Sequence, residues 1–225
     1  MDAIKQCIVR CQSLPTVNGA PHRQLLNHQR DLAMFAVFIS TGLRCGSVQA
    51  LNTWSFIENL KIAEMGRFGH IYTTGKGSKG NGPKLLNIAI DDLRLVKTLE
   101  WYERDVRPYF LSTKNPDESA YFMAEGGRRI SYQALYARLQ IYLREADLTN
   151  MGLCPHSFRH HKITVCGEGG YDIETIRRLA GHTYATTTQG YMGVGDQFCQ
   201  NQIDASIKSQ IERANKGNQS NSAKP

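Results

Sequence analysis

The chain has 225 residues, of which 41% are apolar and 21% charged, an ordinary globular balance that excludes a disordered or fibrous chain and fits one compact domain with a small appendage. Lys plus Arg number 27 against 20 Asp plus Glu, a net charge of +7 that favours a polyanionic partner. The longest uninterrupted apolar run, Leu32 to Ile39, falls far short of the roughly 20 residues of a membrane-spanning helix.

Taken in chain order, the N-terminal stretch is interrupted by Lys5, Gln6 and Arg10, so it lacks the apolar core of a secretion signal. Cys7 and Cys11, spaced i, i+4, read as a partly buried helical pair. With Cys45, Cys154, Cys166 and Cys199 they form no dense framework and no CxxC, which suits reduced thiols in the cytoplasm. Leu32, Phe35, Ala36 and Ile39 recur at helical spacing before Gly42, predicting a core helix that delivers TGLRCGS at its C-terminal end. His70 to Ile90 reads as two short strands around a glycine-rich turn bearing Lys76, Lys79 and Lys84.

Asp91 and Asp92 are candidate N-caps for a helix striped by Leu95, Leu99, Tyr102 and Val106 and ending before Pro108. A second stripe, Leu135, Leu139, Leu143 and Ala146, follows the cap candidate Ser131. His156 to Cys166 predicts a helix behind Pro155, and Asp172 caps IETIRRLA, which stops at Gly181. Ile203, Ile207 and Ile211 line one face of a last helix, and the polar stretch from Asn215 onward reads as a disordered tail. The expected class is α+β, mainly α-helical with a small antiparallel β-sheet. The expected organisation is an N-terminal extension over 1–21, a main domain over 22–213 and a tail over 214–225.

Individually the polar residues are unremarkable. His156 and Arg159 share a helix face, Gly181 and His182 suit a helix end, and Tyr191 is a loop aromatic. Together, PHSFRH, then AGH, then TTTQGY in order, preceded by TGLRCGS and TTGKGSK, resemble the tyrosine recombinase (phage integrase) family over about residues 30–204. The resemblance implies the catalytic-domain fold of that family and an enzyme that cuts and rejoins double-stranded DNA without metal or nucleotide cofactor. It assigns Arg44 and Arg159 as the arginine pair, Lys76 as hairpin lysine with Lys79 as its rival, His156 and His182 as the histidines, and Tyr191 as nucleophile. Lys79 and Lys84 are expected on the DNA backbone.

Those residue types suit the chemistry. Guanidiniums bind the non-bridging oxygens of a phosphodiester bidentately as charge develops, and a phenolic oxygen stores the bond energy covalently. Ser47 departs from the pattern, standing where the family has an acidic residue three after the first arginine; Ala180 and Phe158 replace two leucines. With only about 43 residues before Arg44, the chain reads either as an isolated catalytic fragment or as a naturally short member of the family.

GKGSKGNGPK lacks the G-x-x-x-x-G-K-[ST] pattern of a nucleotide-binding loop, and Cys154, His156, His160, His161 and Cys166 match no common zinc spacing. The rivals are a type IB topoisomerase-like relaxing enzyme and a catalytically silent DNA-binding accessory protein. Resemblance to the family also implies a monomer when free that forms a homo-oligomer, a tetramer, on DNA, with Ile203, Ile207 and Ile211 at the oligomer interface and no membrane association.

Overall fold

The computed structural model describes residues 1–75, 84–172, 174–176, 201, 203–213 and 215. Its centre is α2 (Arg23–Thr41), entered through the His22 side chain, which accepts from Gln24 N, and ended by Gly42 in the left-handed conformation at φ +63°. The apolar run at its middle dictates burial, but the face differs from the predicted stripe. Ala33, Met34, Val37 and Phe38 are buried with Phe35, while Leu32, Ala36 and Ile39 are only half-buried. The helix is covered on several sides, by α1 (Asp2–Gln12), by the segment after β3 and by α7 (Pro155–Glu168), so no single stripe describes it. Ile4, Cys7 and Cys11 of α1 are buried, so the cysteine pair does stand on a helix, packed more deeply than predicted.

The short helix α3 (Cys45–Gln49) follows, then a three-stranded antiparallel sheet of β1 (Phe56–Ile57), β2 (His70–Gly75) and β3 (Lys84–Ala89) in that order. The predicted hairpin is β2–β3, registered from His70↔Ala89 to Gly75↔Lys84. The two-residue strand β1 carries no alternation long enough to read from sequence. Lys76 and Lys79 lie outside the described residues, as does the side chain of Lys84.

The cap of α4 (Leu93–Trp101) is Asp92, whose carboxylate accepts from Arg94 N at 2.9 Å. Asp91 caps nothing and pairs instead with Lys162. The helix does not end before Pro108. It widens into a π-helical turn, Tyr102–Val106, and continues as α5 (Arg107–Leu111). That shift of register leaves Pro108 in the first turn of a new α-helix, where a missing N–H and a fixed φ cost nothing. The stripe Leu95, Leu99, Tyr102 and Val106 is fully buried across the junction. In α6 (Tyr132–Glu145) Ser131 caps as expected, whereas Ala146 is an exposed C-cap and Tyr142 takes its place in the core. The observed class is therefore mainly helical with one small antiparallel sheet, as the sequence predicts.

Helix α7 begins on Pro155, and Asp172 caps the following turn by accepting from Glu174 N and Thr175 N. The expected stop at Gly181 lies outside the described residues. In the 203–213 helix, Ile203 and Ile207 are buried in the core of their own chain and Ile211 packs against it. Within this single chain the helix is therefore seated on its own core. Among the described residues no helix is long and apolar enough to cross a membrane.

One charged cluster is sealed between α2 and α6. Asp31 is fully buried and accepts from Arg30 at 2.6 Å, from the Tyr142 hydroxyl at 2.6 Å and from Arg138 Nε. Replacing one partner strands the others, and breaking a buried ion pair costs about 3–5 kcal/mol. Asp31→Asn is expected to lower unfolding free energy by about 3 kcal/mol, measured by urea denaturation, because the amide supplies no charge for the buried Arg30 guanidinium or the half-buried Arg138 one. A loss under about 1 kcal/mol would show that the cluster is already solvated.

Candidate functional site

Two segments meet where α2 ends and α7 begins. Phe158, between His156 and Arg159 in sequence, stacks on Phe38 with ring centroids 5.7 Å apart and lies 5.9 Å from Phe35. This apolar anchor fixes the rotation of α7 on α2 and turns Arg159 toward the α2 terminus. Arg159 is 3% exposed, and its Nη1 donates to the Gly42 carbonyl at 3.1 Å. The close approach explains the glycine, since a Cβ at position 42 would stand 3.1 Å from Lys162 Cβ on a backbone already in the left-handed region.

The second terminal nitrogen, Arg159 Nη2, is buried and has no hydrogen-bond partner among the described residues. Burial, together with the nearby positive charge of Arg44, pulls the Arg159 pKa down to about 10. The group remains charged at neutral pH, in a place where charge is unfavourable. Arg44, the N-cap of α3, is exposed and, among the described residues, makes no hydrogen bond or ion pair. Two like charges held together with unused donors form a receptor for an anion with more than one oxygen.

His156 is exposed in the first turn of α7, its ring 4.7 Å from that of His160 and perpendicular to it. Partial desolvation, then the neighbouring His160 ring and the Arg159 and Arg44 charges, hold its pKa below the usual histidine value. It is therefore neutral at neutral pH and able to accept a proton. Cys154 caps the helix, and its thiol is pushed down by hydrogen bonds from the His156 N–H, then the Ser157 side chain.

Of the predicted site residues, the structure brings together Arg44, His156 and Arg159. Lys76, Lys79, His182 and Tyr191 lie outside the described residues. Ser47 does not brace Arg44. Its hydroxyl donates to the Thr74 carbonyl at 3.0 Å, and Thr73 Oγ1 donates back to the Ser47 carbonyl at 3.1 Å. The residue thus ties the helix next to Arg44 to β2, the strand that precedes the lysine-bearing residues 76–83 in sequence. Sequence reading missed this tether, the Gly42 carbonyl and the Lys162–Asp91 pair. Only the glycine carried a signal, as a helix terminator. The residues considered for zinc do not assemble, and among the described residues no three His, Cys, Asp or Glu side chains are grouped to hold a metal ion.

The depressed pKa means that the folded chain holds the Arg159 proton less tightly than the unfolded chain. Below pH about 10 the buried charge therefore lowers stability. Arg159→Met discards one hydrogen bond, worth about 1 kcal/mol, and a buried charge whose desolvation costs several. The substitution is expected to raise the melting temperature at pH 7 by about 2–4 °C in a thermal scan. A fall of the same size would mean that the guanidinium is stabilising in the free protein.

The sequence profile described as the Phage integrase family matches residues 14–197. The tyrosine recombinase XerC of Natranaerobius thermophilus is 30% identical over 167 residues, covering 73% of this chain and 51% of its own length. The tyrosine recombinase XerC of Lactobacillus delbrueckii subsp. bulgaricus is 32% identical over 169 residues, covering 75% and 52%. The chain spans about half the length of the curated relatives it matches. Among solved structures, the XerH site-specific recombinase bound to difH substrate superposes with a TM-score of 0.54 at 16% identity, covering 81% of this chain and 45% of that one. That likeness shows the fold to be the one found in tyrosine recombinases. With the profile match running from before α2 through the segment containing Tyr191, the chain belongs to the phage integrase family.

Proposed function

We propose that this chain is the catalytic part of a site-specific DNA recombinase that cleaves and rejoins double-stranded DNA through a 3′-phosphotyrosyl intermediate. The observation that carries the reading is Arg159, buried beside Arg44 with one guanidinium nitrogen unpartnered among the described residues. A neighbouring carboxylate would have been the simplest remedy for such a charge. An unpartnered guanidinium suits a site completed by an external phosphodiester. The XerH structure, solved with its difH substrate, and the net charge of +7 support DNA as the partner.

In this mechanism the two guanidiniums hold the non-bridging oxygens and stabilise the charge that develops on the phosphorane. Tyr191 Oη attacks phosphorus in line as the bond to the 5′-oxygen breaks, leaving a 3′-phosphotyrosine and a 5′-hydroxyl. Lys76, or its rival Lys79, gives the leaving oxygen its proton. His156, neutral at the working pH, assists proton movement, and His182 hydrogen-bonds the phosphate. Lys79 and Lys84 contact the DNA backbone. The Ser47–Thr73–Thr74 tether supports the proposed lysine role, because it links β2, which precedes Lys76 in sequence, to the helix next to Arg44. Neither a metal ion nor a nucleotide enters the scheme.

The catalytic unit is assigned to 22–213, with 1–21 as extension and 214–225 as tail, acting in the cytoplasm. Assembly is proposed as a monomer that forms a tetramer on DNA. Because Ile203 and Ile207 are buried in their own chain, exchange of the 203–213 helix onto a neighbour would require it to undock first.

Covalent capture from a pool of randomised, nicked duplexes tests the reading with no target site specified in advance. The wild-type chain is expected to yield a protein–DNA adduct that survives denaturation, with the attached DNA converging on one core sequence. Tyr191→Phe is expected to bind that sequence with unchanged affinity and to form no adduct, since only the phenolic oxygen is lost. An adduct of equal yield from the Phe variant would place the nucleophile elsewhere.

A further inference from the structure

Strand β3 is followed by two adjacent aspartates, Asp91 and Asp92, whose side chains and backbone together bond three different parts of the chain. Asp91 and Lys162 are both buried, and Lys162 Nζ donates to the two carboxylate oxygens at 2.7 and 2.8 Å. Burial alone would depress the lysine, but the Asp91 charge overrides it and holds its pKa above the ordinary value. Lys162 stands one turn beyond Arg159 on α7. Asp92 accepts from the Ser40 hydroxyl at 3.0 Å while capping α4, and Ser40 lies in the last turn of α2, just ahead of Gly42 and Arg44. The two carboxylates therefore grip both segments that carry the arginine pair.

The third partner comes from the 203–213 helix. Gln210 Nε2 donates to the Asp91 carbonyl at 2.6 Å, and Leu93 N donates to Gln210 Oε1 at 3.4 Å. The same helix is seated by Ile203 and Ile207 and by Asp204, which accepts from Asn59 Nδ2 at 3.1 Å. A buried ion pair adds little stability over a packed apolar pair. What it does supply here is direction, since two short bonds to one carboxylate fix the height and rotation of α7 at Lys162, one turn from a guanidinium that must meet a phosphate.

We infer that the Asp91–Asp92 corner is the positioning element that sets the separation of Arg44 and Arg159, and that Gln210 makes this separation depend on the docking of the 203–213 helix. Asp91, Lys162, Ser40 and Gln210 touch no reacting atom. They act through the arginines, so the inference rests on reading that pair as the phosphate site.

The test uses the full chain and the duplex found by covalent capture. Asp91→Asn with Lys162→Met removes both buried charges together and leaves neither unpaired. Ser40→Ala and Gln210→Ala each remove bonds near the surface and guard against failure of the first variant to fold. All three are expected to bind the duplex within about twofold of wild type, while cleavage at saturating DNA falls about tenfold or more in the double variant and about threefold in the single ones. In an Arg159→Lys background the same changes are expected to cost less than about twofold further, because a misplaced partner has nothing left to lose. Wild-type cleavage in the folded variants, or equal losses in both backgrounds, would overturn the corner as a positioning element while leaving the phosphate reading intact. Failure of the wild-type chain to form any adduct would overturn both.

Discussion

The constraint on which the described structure turns is the placement of the Arg159 guanidinium. Its Nη1 is committed to the Gly42 carbonyl, its Nη2 has no partner among the described residues, and the exposed Arg44 adds a second positive charge nearby. A chain under selection for stability alone would neutralise this charge or turn it to solvent. Here the surroundings do the opposite. The Phe158 stack locks α7 on α2, the left-handed Gly42 brings a carbonyl to within hydrogen-bonding distance, and the carboxylates of Asp91 and Asp92 are committed to Lys162, Ser40 and the α4 cap. Electrostatic strain of this kind fits the proposed reading, in which the missing partner arrives with the substrate at a preorganised site.

The arrangement also divides labour between apolar and polar contacts. Aromatic stacking sets the coarse orientation of the helices, a task that any bulky core could meet. The fine register comes from a few directed bonds: Arg159 to Gly42, Lys162 to Asp91, and Ser47 with Thr73 and Thr74. These join α2, α7, α3 and β2, so the positions of Arg44 and His156 are determined together rather than one helix at a time. The 203–213 helix enters the same network through Gln210, which brings the C-terminal part of the chain into the geometry of its centre.

Much of the fold was legible because its signals are local. Ser131 and Asp172 act as the caps they resemble, Pro155 opens α7, and the two strands that flank the glycine-rich segment pair with each other. Errors arose where tertiary context governs. The buried face of α2 is rotated from its predicted stripe because the helix is covered on several sides. The π-helical turn let the chain run through Pro108, and Asp91 was claimed by a lysine far along the sequence rather than by the adjacent helix. Motif order singled out Arg44, His156 and Arg159, which the structure brings together. The supports of those residues were not legible, since a backbone carbonyl has no residue signature and Ser47 looks the same whether it braces an arginine or a strand.

The most direct test of a preorganised phosphate receptor asks whether Arg159 acts on phosphate charge. On the captured target, the penalty of Arg159→Ala is compared between a natural scissile phosphate and a methylphosphonate at the same position, in which one charged oxygen is replaced by a neutral methyl group. If Arg159 neutralises developing negative charge, its removal slows cleavage of the natural duplex by about a hundredfold or more but of the neutral one by less than about tenfold. An equal penalty on both duplexes would show that the buried guanidinium holds the fold and not the phosphate.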